Sequence, residues 1–301
     1  MVNLLGLMLF DCVNCSENPI NLDPNLMGTY NKVWRLFFAV ALIAIAVQQF
    51  ICSGFRPVIM PPHPEWLFSS TFAMCVSSIL LILLSFAIVF NINAHEVAVY
   101  LGTAFLIMLI LFHIPNQIIS NLRFLGGWSD AFKMLALSGG SFIVAASIPG
   151  TPADALGRFL EKLVPLGRYF FATTMIVFGI EHFMYTQFIE TLVPAWLPGH
   201  IFWTYLAGAA LFASGVAIAF NIKVKLAAGL LGLMIFLWIV VLHIPRAIAD
   251  PISGSGNEWT SVFEALAFSG VAFILSGQAV ASTEPASQAH AINNQHLTEE
   301  I

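Results

Sequence analysis

Apolar residues along this chain gather into long runs separated by short polar interruptions. A helix that crosses a bilayer needs about 20 mostly apolar residues. Eight runs meet that length: 34–55, 66–90, 96–115, 128–148, 168–188, 200–220, 224–245 and 259–279. Trp34, Trp66, Trp128, Tyr169, Trp203 and Trp259 stand at or near their starts, as an interfacial aromatic belt requires. The pattern predicts an all-α membrane protein with eight transmembrane helices.

Composition agrees. Hydrophobic residues are 59% of the chain and charged residues 9%, against roughly 25% charged in a soluble domain. Such a chain cannot cover its own apolar surface in water, so its first partner is the lipid bilayer. The net charge of -5 and the lack of a basic patch give no sign of nucleic-acid binding. Lys and Arg set the orientation. With both termini inside, the inner segments hold seven (Lys32, Arg35, Arg158, Lys162, Arg168, Lys223, Lys225) and the outer segments four (Arg56, Arg123, Lys133, Arg246). The expected location is a bacterial-type inner, cytoplasmic membrane, crossed many times, with both termini cytoplasmic. "MVNLLGLMLF" is too short to span and lacks the basic flank of a signal peptide. Cys12 and Cys15 form a lone C-x-x-C and, with Cys52 and Cys75, imply no disulfide framework and no metal site.

The polar positions then reveal a duplication. "LFHIPNQI" at Leu111 answers "VLHIPRAI" at Val241. "RLFFAV" at Arg35 answers "RYFFAT" at Arg168, and "AIVFNI" at Ala87 answers "AIAFNI" at Ala217. "WSDAFKMLALSGGSF" at Trp128 answers "WTSVFEALAFSGVAF" at Trp259. The order and spacing predict two tandem four-helix bundles in parallel orientation, related by an axis normal to the membrane. The domains are an N-terminal cytoplasmic segment (1–33), a first, diverged unit (34–148), a Pro- and Gly-containing linker (149–167), a second unit (168–279) and a polar, disordered tail (280–301).

Residues kept in both copies serve packing that both share. Pro115 and Pro245 each remove a backbone N–H near a helix end, and His113 reads as structural. The asymmetry between copies is the candidate chemistry. Gln48 stands against Glu181, Gln49 against His182, Asn116 against Arg246 and Lys133 against Glu264. At about 1.5 Å rise per residue, His182 lies roughly 21 Å beyond Arg168 and His243 roughly 27 Å beyond Lys225. Glu181, His182, His243, Arg246 and Glu264 therefore share one depth in the outer leaflet, and His200 is placed to cap them. Glu181 and His182 are consecutive, about 100° apart, so both reach one cavity only if it lies between their directions. Intramembrane ionisable residues mark function by default. The alternative is a structural ion-pair lock, with Glu181 or Glu264 holding Arg246.

"FGIEHF", "LVPAWLPG", "FWTYLAGAALFASGVAI", "LLGLMIFLWIVVLHIPRAI" and "GNEWTSVFEALAFSG" resemble the DoxX-like membrane proteins. The resemblance is strong over 168–279 and weaker over 35–148. It implies a four-helix unit and a membrane subunit linked to quinone or thiol/sulfur redox chemistry, with no settled catalytic residues to carry over. A quinone site needs a donor such as His or Arg and a carboxylate that passes protons. Glu181, His182, His243, Arg246 and Glu264 supply those groups. The leading expectation is a quinone-interacting subunit or partner of a membrane oxidoreductase. No haem-attachment, iron–sulfur or nucleotide motif is present in the sequence, so the electron donor is expected to be a separate redox partner subunit. Three alternatives stand beside it: a non-enzymatic accessory or scaffold subunit, a b-type haem protein using His182 and His243 as cofactor ligands, and a small-molecule transporter.

Overall fold

A computed structural model of the chain describes residues 24–61 and 70–281. Cys12, Cys15, Trp66 and the tail from 282 lie outside the described residues. The long helices are α1 (Pro24–Ile51), α2 (Ser70–Val89), α3 (Ala94–Asn121), α4 (Ser129–Ala146), α5 (Gly167–Met184), α6 (His200–Ala219), α7 (Val224–Ala249) and α8 (Ser253–Ala281). No strand occurs among the described residues. Seven of their helices are long and apolar enough to cross a membrane, Ala155–Met184 counting as one with α5. The chain is therefore a multi-pass membrane protein. The span expected at 128–148 forms α4, which carries Asp130, Lys133 and a Ser-Gly-Gly-Ser run and is not among the seven. The first helix also begins ten residues earlier than the apolar run at 34, with Pro24 at its start.

The neighbour relations explain the polarity of α4. The helices close a ring: α1 packs on α2, α2 on α3, α3 on α4, α4 on α5, α5 on α6, α6 on α7, α7 on α8, and α8 back on α1. α4 and α8 also touch each other across the middle. Both are enclosed by protein: α4 is buried along almost all of 134–145, and 83% of the apolar window of α8 is buried. A helix that faces protein on all sides needs small residues for close approach more than apolar bulk for lipid. By contrast, only 28% of the window in α2 and 22% in α7 is buried, so these helices face outward and are the most apolar. A self-contained bundle would pair the first and last helix of each unit. Here α4 pairs with α5 across the expected unit boundary, and α8 pairs with α1.

The same local devices recur in both halves. Asn91 (φ 56°) and Asn93 (φ 45°) turn the chain from α2 to α3, and Asn221 (φ 59°) and Lys223 (φ 43°) turn it from α6 to α7. Asn tolerates the left-handed region, which accounts for the doubled "FNI". Leu109–His113 and Ile239–His243 are π-helical turns inserted before Pro115 and Pro245. The Ile114 N–H reaches back to the Leu109 carbonyl and the Ile244 N–H to that of Ile239. The widened turn accommodates the proline ring. Ser138 Oγ donates to the Gly102 carbonyl at 2.7 Å, and Ser269 Oγ to that of Gly232 at 3.0 Å.

Glycines set the α4–α5 and α8–α1 crossings. A Cβ on Gly139 would fall 2.6 Å from the Gly167 carbonyl oxygen, and one on Gly270 would fall 2.8 Å from that of Trp34. In each case the obstacle is backbone. Gly139→Ala and Gly270→Ala are expected to cost about 1–3 kcal/mol each by overpacking, read as a lowered melting temperature in detergent. Gly28→Ala, with open space around it, is expected to leave that temperature unchanged or slightly raised.

Candidate functional site

A cavity of about 460 Å³ opens among α4, α5, α6, α7 and α8. Glu181, His182, His243, Arg246 and Glu264 all line it. The five residues singled out from sequence thus share one chamber, and the cavity does lie between the directions of Glu181 and His182. His200 is not among its lining residues. Much of the remaining wall is apolar, with Met175, Phe178, Trp203, Met234, Trp238 and Phe268. Trp203 and Trp238 meet edge to face, ring centres 6.1 Å apart.

Local structure positions each group. Glu181 and His182 end α5. His182 Nδ1 donates to the Phe178 carbonyl at 2.7 Å. In the neutral ring this leaves Nε2 as a free acceptor. Gly208 makes room for that residue: a Cβ there would fall 2.7 Å from His182 Cβ. Ser129 Oγ lies 3.1 Å from Glu181 Oε1 and 2.8 Å from the Gly126 carbonyl. His243 sits on the π-helical turn of α7, half-buried, and makes no hydrogen bond among the described residues. Gly254, Ser255 and Gly256 take left-handed conformations (φ 56°, 57° and 80°). They restart α8 so that Asn257, Ser261, Glu264 and Phe268 present one helical stripe to the cavity.

Two ion pairs fix the charges. Arg246 grips Glu258 with both Nε (3.0 Å) and Nη2 (2.5 Å), the two-pronged geometry that favours arginine. The ion-pair alternative expected Glu181 or Glu264 in that role; neither is salt-bridged to Arg246. Glu264 instead meets Lys133 of α4, with Nζ 3.1 Å from Oε2, and Asp130 holds the same ammonium at 3.1 Å. Sequence comparison placed Lys133 opposite Glu264 in the repeat and assigned it to the depleted unit. In the fold the two equivalent positions touch, because α4 and α8 meet in the middle, and Lys133 lines the cavity with Ser129. Ser129, Lys133 and Glu258 were missed. Two signals for them were in the sequence: opposite charges at repeat-equivalent positions 133 and 264, and an acid twelve residues after Arg246.

The first half handles its equivalents differently. Gln48 Nε2 donates to the Gly256 carbonyl at 2.6 Å, and Thr260 Oγ1 donates to Gln48 Oε1 at 2.9 Å. Gln49 Nε2 donates to Ser78 Oγ at 2.9 Å and is fully buried. Arg56 donates to the Ser255 carbonyl. His113 is 2% exposed and lies against the backbone of Val58 and Ile59. Residues 58–61 are buried and fill the space beside it. The corresponding stretch in the second half, around Phe188–Val193, forms cavity wall instead.

The model of one family, a domain of unknown function (DUF8561), matches residues 171–266. This stretch runs from α5 into α8 and includes Glu181, His182, His243, Arg246, Glu258 and Glu264. No curated protein and no solved structure matches the chain.

The Lys133–Glu264 pair supplies a test. Removing one partner of a buried pair leaves an uncompensated charge, at a cost of about 3–5 kcal/mol. Lys133→Met is expected to lose that much stability, and adding Glu264→Gln is expected to restore most of it. Thermal melting of both proteins in detergent measures the difference.

Proposed function

We propose that this protein binds a quinone ring in the cavity between α5, α6, α7 and α8, as the membrane subunit or partner of an oxidoreductase. The observation that carries this reading is His243. Its imidazole lines a chamber with Trp, Phe and Met in its walls and has no hydrogen-bond partner among the described residues. Such a chamber, apolar with a few convergent polar groups, is the usual form of a small-molecule site. The residues present fit the group. The aromatic walls suit a planar ring, His243 can donate to one of its carbonyl oxygens, His182 Nε2 can accept from a hydroxyl of its reduced form, and Glu181 and Glu264 can hold or release protons. A bound quinone would supply two-electron, two-proton redox chemistry. The resemblance of 168–279 to DoxX-like proteins supports the same class. The electron donor is then a separate subunit.

The reading includes an organisation. The chain crosses the membrane eight times as two parallel four-helix units, α4 serving as the fourth crossing, with both termini cytoplasmic. The 18 residues of α4 rise roughly 27 Å, close to the ~30 Å hydrocarbon thickness. Shared devices in the two halves support the duplication. Single cysteines introduced at Lys162 and Lys223 are expected to react with a membrane-impermeant thiol reagent only from the cytoplasmic side, and one at Arg123 only from the opposite side. If 123 and 162 label from the same side, α4 does not cross.

Binding of a decyl-substituted benzoquinone to purified protein tests the function. His243→Ala is expected to weaken it about tenfold, equivalent to ~1.4 kcal/mol, with melting temperature little changed. His113→Ala is expected to lower stability by about 2–5 kcal/mol through the hole it leaves and to keep binding intact. If both variants lose stability and neither loses binding, the His-Ile-Pro histidines are packing devices in both copies and the reading fails.

A further inference from the structure

The chamber is blind at one end. Its innermost lining residues are Met175 on α5, Leu211 on α6, Met234 on α7 and Phe268 on α8. Just beyond them the helices close on one another. Phe171 is fully buried and meets Phe268 edge to face, ring centres 6.3 Å apart. A Cβ on Gly215 would fall 2.8 Å from the Ala172 carbonyl oxygen, which draws α6 against α5. The Ser269 hydroxyl donates to the Gly232 carbonyl at 3.0 Å, which draws α8 against α7. These contacts form a floor. At the other end Asn257 is exposed, and Arg246 and Glu258 are part-exposed beside it, so the mouth lies there.

Polarity runs along the same axis. On α8 the lining passes from Asn257 and Glu258 through Ser261 and Glu264 to Phe268. At about 1.5 Å per residue, the apolar end extends roughly 6 Å past Glu264 on α8 and roughly 9 Å past Glu181 on α5. A ring held between His182 and His243 then has one apolar direction open to a substituent. Toward the mouth, a chain would run past the Arg246–Glu258 ion pair. Sideways between α6 and α7, it would have to part Trp203 and Trp238, whose rings meet edge to face. Lipid is as apolar as the blind end, so hydrophobic transfer does not hold a chain there. Close dispersion contact with walls and floor does, and it forbids a chain longer than the space. We infer that the blind end is a chain-binding subsite: the ligand's apolar substituent points inward to Met175, Leu211, Met234 and Phe268, and the floor at Phe171 limits it to a short chain rather than a long polyisoprenoid tail. The inference rests on the quinone reading above and adds to it the ligand's orientation and size limit.

The test uses the full chain in detergent and a decyl-benzoquinone bearing a diazirine at the end of its chain. After irradiation, peptide mass spectrometry locates the label that excess decyl-benzoquinone displaces. That label is expected on Met175, Leu211, Met234 or Phe268. A polyisoprenoid benzoquinone, at the same mole fraction in the micelle, is expected to displace it at least tenfold less effectively. Leu211→Trp, which fills the blind end, is expected to weaken decyl-benzoquinone at least tenfold and to leave binding of the tail-free dimethoxy-methyl-benzoquinone within twofold. Leu206→Trp, on the outward face of α6, is expected to change neither. Displaceable label on the outward-facing Leu206 or Leu237, or at the mouth around Asn257, overturns the inference and leaves the quinone reading standing. Equal displacement by the polyisoprenoid quinone, or unchanged decyl-benzoquinone binding in folded Leu211→Trp, also overturns it. If Leu211→Trp does not fold, the label positions in the unmodified protein decide. Absence of any displaceable label, together with no binding of the tail-free quinone, overturns the quinone reading and the inference together.

Discussion

The contact between Lys133 and Glu264, 3.1 Å apart where α4 and α8 meet, constrains more of this protein than any other interaction. Two charges in so apolar a surrounding are tolerable only together. Their pairing therefore requires that the last helix of each half reach the centre of the molecule. Once there, α4 and α8 cannot pack on the first helix of their own half and take that of the other. The ring of helices, the glycine crossings at Gly139 and Gly270, and the polar composition of α4 follow from that central placement. The pair spends one oxygen of Glu264 on Lys133 and leaves the other buried and without a hydrogen-bond partner.

The duplicated His-Ile-Pro shows how one backbone device supports two outcomes. In both copies a π-helical turn absorbs the proline and sets the histidine at its end. What differs is the loop opposite. Residues 58–61 fold inward and bury His113, whereas the stretch around 188–193 stands back as wall and leaves His243 facing open space. The equivalent polar pairs follow the same division. Thr260 donates to Gln48, and Ser129 lies against Glu181, each reaching from the last helix of one half to the first helix of the other. In the first half Gln48 and Gln49 are each satisfied by one hydroxyl and one backbone group, as buried polar groups generally are. In the second half carboxylates and imidazoles remain short of partners.

Away from the cavity, the linker between the halves is tied down by its own polar contacts. His95 Nε2 lies 3.0 Å from Glu161 Oε2, and His95 Nδ1 lies 3.0 Å from the Ile148 carbonyl. Asp154 accepts a hydrogen bond from Tyr100 at 2.8 Å and caps the short helix Ala155–Leu160 through the Gly157 N–H. The Tyr100 hydroxyl holds the Asp154 carboxyl below its ordinary pKa. These ties anchor the linker to α3 and deliver α5 to its place beside α4.

Much of this was legible in the chain. Long apolar runs had to become helices, because a bilayer leaves backbone groups no other partner than their own helix. The repeat was visible because the same turns, prolines and glycines solve the same local problem twice. The five ionisable residues that line the cavity were visible because such groups in apolar runs are costly and stand out. The sequence did not reveal that Lys133 belongs with Glu264, that Arg246 belongs with Glu258, or that α4 and α8 are central. Those facts depend on which helix lies beside which, and side-chain periodicity fixes only the face a helix presents, not the neighbour it presents it to. Gln49 and His182 occupy matching places in the repeat, yet one is sealed and the other opens on a cavity. The tertiary structure decides that difference: Gln49 meets the Ser78 hydroxyl and the Arg56 N–H, whereas His182 lines the chamber, since whether a polar side chain is satisfied or exposed to a chamber is a property of the space around it.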